Sequence, residues 1–247
     1  MVEENNRKKI SVIIPAKNES STIQGLVEAI KQSPYVDEII VVDDGSTDNT
    51  GKLAGLAGAK VITLPENRGK GYAMNKGVGS ARNDLVLFID ADITGMSPEI
   101  VEKIVAPVLL NTYDMHAGLM ERKSAIIKFF TRVGPVLSGQ RVMRKEVWYS
   151  VPEYYKSRFE IEIALNYFAK RNGYQASSCV IEGWSQTIKE RKYGLLKGFL
   201  SRVGMCLDIT GVVVGLYVIE RIRGWFASML SIKDPKHSNR KRYRYIK

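Results

Sequence analysis

Asp90 and Asp92, separated by Ala91, end the apolar run in VLFIDADITG (residues 86–95). In an extended segment side chains alternate, which would set the two carboxylates on one face and turn Ala91 away. Burying even one unpaired carboxylate costs several kcal/mol, and two on one face repel. A cation resolves the conflict. Oxygen ligands suit Mg²⁺ or Mn²⁺, which commonly take one or two carboxylates and complete their shell with phosphate oxygens and water. The expected occupant is a metal-bound diphosphate held by Asp92 and Asp90. A D-x-D spacing also fits a helix cap, so its neighbours must decide.

Two further stretches point the same way. VVDDGSTDNT (41–50) sets Asp43 and Asp44 at another strand end before a Gly-Ser turn. Such carboxylates can accept hydrogen bonds from a base or from ribose hydroxyls. The competing reading is an Asx-turn followed by a helix cap at Ser46 or Asp48. NRGKGYAMNKGVGSAR (67–82) supplies Arg68 and the glycine-flanked Lys70 at a helix start, where phosphate is favoured. Its spacing is not that of a Walker A loop.

These residues need a scaffold that brings them together. Short β-branched runs at 11–15, 38–44, 60–64 and 84–92 alternate with helix-like stretches at 21–33, 48–58 and 71–82. Nearly continuous apolar strands alternating with helices predict an α/β protein whose mostly parallel sheet is covered on both faces. Ligands then gather beyond the carboxyl ends of the strands, which places Pro15–Glu19, Asp43–Ser46 and Asp90–Asp92 on one rim. Helix starts are expected at Ser20–Thr22, at Ser46 or Asp48, and at Ser97-Pro98-Glu99. Further on, strands are expected at 113–120, within 136–148 leading into a helix, and at 175–183. An amphipathic helix is expected over 158–174.

In order and spacing, SVIIPAKNES, EIIVVDDGSTDNT, NRGKGYAMNKGVGSAR and DLVLFIDADI resemble the family 2 glycosyltransferases of GT-A fold. The resemblance implies a nucleotide-sugar donor, UDP- or GDP-linked. By position it puts Pro15, Asn18 and Glu19 in the nucleotide pocket, with Ala91 in the same set. Asp43 would lie on the base, Asp44 on base or ribose, and Lys70 near base or phosphate. Asp90 would contact ribose or sugar, and Asp92 the metal. SGQRVMRKEVW, FEIEIALNYFAKRNGY and IKERKYGLLKG look like stretches of polyprenyl-phosphate sugar transferases such as dolichol-phosphate mannose synthase. There Arg191, Gly194 and Lys197 match an R-x-x-G-x-x-K segment. The usual GFR reads GQR here, and a pair of transmembrane helices is lacking. Glucosyl-3-phosphoglycerate synthases share the early motifs and are a close competitor.

Charge divides the chain. Residues 1–100 carry 11 basic and 14 acidic side chains, residues 101–247 carry 26 and 12. The basic surplus suggests an anionic partner. A phosphate acceptor needs positioning more than deprotonation, for which Arg122, Arg132, Arg141, Arg144 and Lys197 are candidates, with Arg191 assisting the leaving diphosphate. Glu160 and Glu162 stand at an expected helix start; the resemblance implies that one of them faces sugar or acceptor, and the alternative is that they merely complement the helix dipole. His116 fits a core histidine better than a site residue.

The expected organisation is a catalytic domain over 1–194 (nucleotide-sugar half 1–100, acceptor half 101–194), a helical region over 195–232 and a basic tail over 233–247. The 195–232 region is interrupted by Arg202, Asp208, Glu220 and Arg221, so it suits an interfacial or packed helix pair better than a membrane span. Cys179 and Cys206 fit reduced thiols. The opening MVEENNRKKI has no signal-peptide pattern. Together these features lead to an expectation of a cytoplasmic enzyme, peripheral on the inner face of the cell membrane, transferring a sugar to a polyprenyl phosphate. Transfer to a soluble phosphorylated acceptor is the alternative, or to a glycolipid or polysaccharide hydroxyl. A basic nucleic-acid-binding protein would explain the tail but not the acidic rim.

Overall fold

The computed structural model describes residues 9–121, 138–156 and 161–186. Strands β1 (Ile10–Ala16), β2 (Val36–Asp43), β3 (Lys60–Thr63) and β4 (Leu85–Phe88) alternate with helices α1 (Ile23–Lys31), α2 (Thr50–Leu56) and α3 (Lys70–Ser80). A two-residue strand β5 (Ile93–Thr94) precedes α4 (Pro98–Leu109). The second half contributes β6 (Met115–Met120), β7 (Arg141–Arg144), α5 (Lys145–Tyr149), a 3₁₀ turn (Glu153–Lys156), α6 (Ile161–Arg171), β8 (Ala176–Ile181) and β9 (Ser185–Gln186).

Seven strands form one sheet in the order β3-β2-β1-β4-β7-β6-β8. All neighbours pair in parallel except β7, which runs against both β4 and β6. The chain builds outward from β1 to β3, then returns to lay β4 on the other side of β1. That reversal opens a crevice at the carboxyl ends of β1 and β4, where doubly wound sheets bind ligands.

Period-two alternation divides β1 between two cores. Ile10, Val12 and Ile14 pack with α1, α2 and α4 on one face; Ile13 packs with α3, α5 and α6 on the other. Helix α1 buries Ile23, Leu26, Val27 and Ile30, an i, i+3, i+4, i+7 stripe. Helix α3 has a weaker apolar stripe and relies on a small residue instead. A Cβ on Gly77 would overlap the Ile13 side chain, so glycine lets α3 lie close against β1. Pro15, which has no N–H, sits in β1 just past the last residue paired with β4. Ser97 caps α4 by accepting from Ile100 N (3.4 Å), with Pro98 at the first position, as expected.

Two features differ from the sequence expectation. The run 84–92 is not extended to its end: β4 stops at Phe88, and Ala91 and Asp92 lie in a turn. Thr22 does not cap α1 with its side chain. Its hydroxyl donates instead to the Ala91 carbonyl (2.7 Å), tying the start of α1 to that turn.

Candidate active site

The residues beyond β1, β2 and β4 meet at the crevice through their own hydrogen bonds. Asp43, the last residue of β2, is buried and accepts from Ser46 N (2.9 Å), an Asx-type turn. Asn18 adopts the left-handed region (φ 53°). Its N–H donates to Ser46 Oγ (3.0 Å), and its Oδ1 accepts from Thr47 N (2.8 Å). Glu19 N donates to Thr50 Oγ1 (2.9 Å). The loops after β1 and β2 are thereby laced into one wall.

Asp44 holds the opposite loop. Its two oxygens accept from Arg68 N (2.7 Å) and Gly69 N (2.8 Å). With its amide nitrogen toward Asp44, Asn67 donates to Oδ2 (2.6 Å) and accepts from Lys17 Nζ (2.8 Å). Asp44 thus fixes the turn that delivers Lys70 to the N-terminus of α3. A base or ribose contact from it would compete with these bonds.

Lys70 stands between two carboxylates, Asp90 Oδ1 at 2.8 Å and Glu162 Oε1 at 3.0 Å. Burial alone would push its pKa down; the paired charges outweigh burial and raise it above the ordinary lysine value, so the ammonium is firmly protonated. Asp90 and Asp92 do not share a partner. Asp90 accepts from Gln140 Nε2 (3.2 Å) as well as from Lys70. Asp92, only 6% exposed, accepts from Gln186 Nε2 at 3.1 and 2.9 Å. The turn after Phe88 separates what an extended strand would have aligned. Ala91 is buried in the apolar core between them.

On the acceptor side the arginines divide. Arg141 pairs with Phe88 at the crevice end of β7, yet it is buried and donates to Asn166 Oδ1 (2.8 Å). Burial pushes its pKa down to about 10, against the opposing pull of Glu162, so it stays charged at neutral pH. It is a buried cation beneath the crevice. Arg144 pairs with Leu85 at the other end of β4 and bonds Asp114 (3.3 Å) and Asn111 (2.6 Å), so it faces the rim remote from the crevice. His116 is buried between Ser177 Oγ (2.6 Å) and Cys179 Sγ (3.2 Å), as a core histidine. Arg122, Arg132, Glu160, Arg191, Lys197 and the whole of 195–247 lie outside the described residues.

Sequence reasoning missed Gln140 and Gln186. Gln140 stood in the SGQ segment without a role. Gln186 reaches Asp92 only because β9 pairs with β5, Gln186 opposite Ile93, and no local pattern announces a two-residue ribbon.

The family model for glycosyl transferase family 2 matches residues 11–178, over half of the chain. The chain belongs to glycosyl transferase family 2. A glucosyl-3-phosphoglycerate synthase of Mycolicibacterium smegmatis is 37% identical over 111 residues, covering 41% of this glycosyltransferase and 37% of the relative. A 4,4'-diaponeurosporenoate glycosyltransferase of Staphylococcus aureus is 32% identical over 143 residues, covering 52% and 38%. The glycosyltransferase thus matches less than two fifths of the length of either relative. Among solved structures, glucosyl-3-phosphoglycerate synthase of Mycobacterium tuberculosis in complex with Mg²⁺ and UDP superimposes with a TM-score of 0.69 at 25% identity, over 85% of this chain and 79% of that one. The same enzyme with Mn²⁺, UDP-glucose and glycerol 3-phosphate gives 0.68 at 25%, over 85% and 80%. The mostly parallel α/β sheet is that of the GT-A fold.

A divalent metal suits this family 2 site through Asp92 more than through Asp90. Lys70 already neutralises Asp90, whereas among the described residues the partner of the buried Asp92 is a neutral amide and no cation pairs with it. Among the described residues no cluster of three or more His, Cys, Asp or Glu side chains could hold a metal alone. That donor set fits a Mg²⁺ or Mn²⁺ ion carried in with a diphosphate.

Proposed function

We propose that this family 2 glycosyltransferase transfers a sugar from a UDP-sugar to a small, soluble, phosphorylated acceptor, with Mg²⁺ or Mn²⁺. The observation that carries the reading is the buried Asp92 in the switch-point crevice, two residues from Asp90, whose described partner is the neutral Gln186 amide. Asp92 would hold the metal, which when bound supplies charge neutralisation to the departing diphosphate. Lys70 offers a second positive charge, and its position at the N-terminus of α3 adds the helix dipole. Asp43 and Asn18 form the base-side wall, and Asp90 faces the sugar. Glu162, entering from α6 and held by Lys70, serves the acceptor side and orients its hydroxyl.

Among the acceptors left open, a soluble phosphorylated compound has more support than a polyprenyl phosphate. The M. smegmatis relative is named a glucosyl-3-phosphoglycerate synthase, and one M. tuberculosis structure of that enzyme holds glycerol 3-phosphate. The test is thermal unfolding against UDP, GDP, CDP and ADP and their glucose conjugates, with and without Mn²⁺. Product is then assayed from the stabilising sugar nucleotide with 3-phosphoglycerate, glycerol 3-phosphate or a polyprenyl phosphate. A ligand at ~100 times its Kd adds about 2.7 kcal/mol. A Mn²⁺-dependent shift with a uridine nucleotide and product on a soluble phosphate support the proposal. No shift with any nucleotide, in folded protein, removes it; product on the polyprenyl phosphate alone redirects it to the membrane.

A further inference from the structure

Asp90 is gripped from both sides. Oδ1 takes the Lys70 ammonium, and Oδ2 accepts from Gln140 Nε2 at 3.2 Å. Behind the carboxylate lies Gly139, where any Cβ would overlap Asp90, so the Ser138-Gly139-Gln140 turn is pressed directly against it. Gln140 is itself buried, and its amide orientation follows from its neighbours. Gln140 N donates to Ser138 Oγ (3.2 Å), which lies 3.1 Å from Gln140 Oε1 and donates to Gly118 O (2.5 Å). Turning the amide over would set its oxygen against a carboxylate oxygen, acceptor on acceptor. Nitrogen therefore faces Asp90.

We infer that Gln140 is a positioning residue for sugar recognition, holding Asp90 in the orientation that receives hydroxyls of the transferred sugar. The inference rests on the sugar-nucleotide reading above. Gln140 and Glu162 both belong to the acceptor half, so Asp90 is addressed from that side. Asp43 and Asn18 lie at the ends of β2 and β1, on the base side. When a diphosphate draws on the Lys70 charge, Gln140 is the partner that keeps Asp90 in place. A neutral amide does so without cancelling the negative charge that sugar hydroxyls would meet. A lysine there would cancel it, and a glutamate would add a third carboxylate around Lys70.

The experiment titrates full-length wild type, Gln140→Met and Gln140→Glu with UDP-glucose and with UDP, each with Mn²⁺, by calorimetry; ligand-free melting checks folding. Gln140→Met keeps the length and removes the donor. Its affinity for UDP-glucose is expected to fall about tenfold, the worth of a hydrogen bond to a charged group, while UDP changes less than about twofold. The KM for UDP-glucose rises with the Kd, and kcat moves less. Gln140→Glu loses more for UDP-glucose, and it carries the comparison if Gln140→Met fails to fold. Equal losses for both ligands, or none, overturn the inference and leave the sugar-nucleotide reading standing. Wild type that binds neither ligand overturns that reading and the inference with it.

Discussion

The Lys70 ammonium, at the first residue of α3, stands 3.0 Å from the Glu162 carboxylate in α6, joining residues 92 apart in sequence. Asp90 completes the group from the end of β4. The two halves of the chain therefore meet at one cation, and whatever recruits that cation releases two carboxylates at once. A bound diphosphate would free Asp90 for the sugar and Glu162 for the acceptor in one event.

Replacing Lys70 by Met leaves Asp90 without its cation and Glu162 with only the nearby Arg141 among the described cations, both carboxylates being largely desolvated. Unfolding by urea should show a loss of about 2 kcal/mol, below the full cost of breaking a deeply buried pair because these groups keep some solvent. The pH dependence has a definite sign. Lys70's pKa is raised in the folded state, so its stabilisation is fully present below the ordinary lysine pKa and fades only as pH rises through the higher folded value. The difference between wild type and Lys70→Met should thus stay constant from pH 7 to 10. A rise within that window would show instead that burial holds the folded pKa of Lys70 below its ordinary value.

Asp92→Asn separates metal binding from folding. The buried Asp92 charge has a neutral described partner, so removing it relieves a desolvation penalty. The variant should melt at or slightly above the ligand-free wild type, by up to about 1 kcal/mol, because Asn can still meet the Gln186 amide. It should lose the Mn²⁺-dependent part of the shift with UDP. A marked drop in ligand-free stability would instead make Asp92 a structural anchor.

The first half of the fold was legible because β1, β2 and β4 are buried on both faces and read as unbroken apolar runs between helix signals. Their order placed the acidic strand ends on one rim without further information. What the local pattern could not show was where β4 ends. Extended geometry aligns Asp90 with Asp92, yet the chain turns after Phe88 and hands them to Gln140, just before β7, and Gln186, in β9, strands whose pairing partners no periodicity specifies. The burial of Arg141 escaped the local pattern for a related reason. Arginine is seldom fully buried, and Asn166 and Glu162 on α6 help to make the core position tenable.

His116 gives an acid-side prediction. Burial holds its pKa below the ordinary value, so the folded protein binds its proton less readily than the unfolded chain. Its contribution is present above the unfolded pKa and is lost as pH falls through that value toward the folded one. Stability measured from pH 7.5 to 5 should decline in wild type and decline less in His116→Gln, which retains a partner for Ser177. Parallel curves would mean that other groups set the acid limb.

The excess of basic residues after residue 100 makes a prediction about surfaces. Residues 233–247 hold seven basic side chains and one acidic, and a lysine or arginine near an anionic bilayer contributes about 1 kcal/mol. The attraction falls off within a Debye length, roughly 10 Å at 0.1 M salt. If the enzyme is peripheral on membranes, the full chain should sediment with phosphatidylserine vesicles at 50 mM salt and be released at about 0.5 M. Deleting 233–247 should weaken vesicle binding strongly and spare the UDP-dependent melting shift, because the described crevice residues all precede the tail. Oligonucleotides provide the control: their phosphates would attract the same tail, but the acidic rim repels them, so they should not protect the folded domain from heat. A full chain that ignores vesicles at low salt removes the peripheral reading and strengthens the case for a soluble acceptor. Vesicle binding that survives the deletion moves the contact to residues 195–232, where apolar burial, resistant to salt, would replace charge as the attractive force.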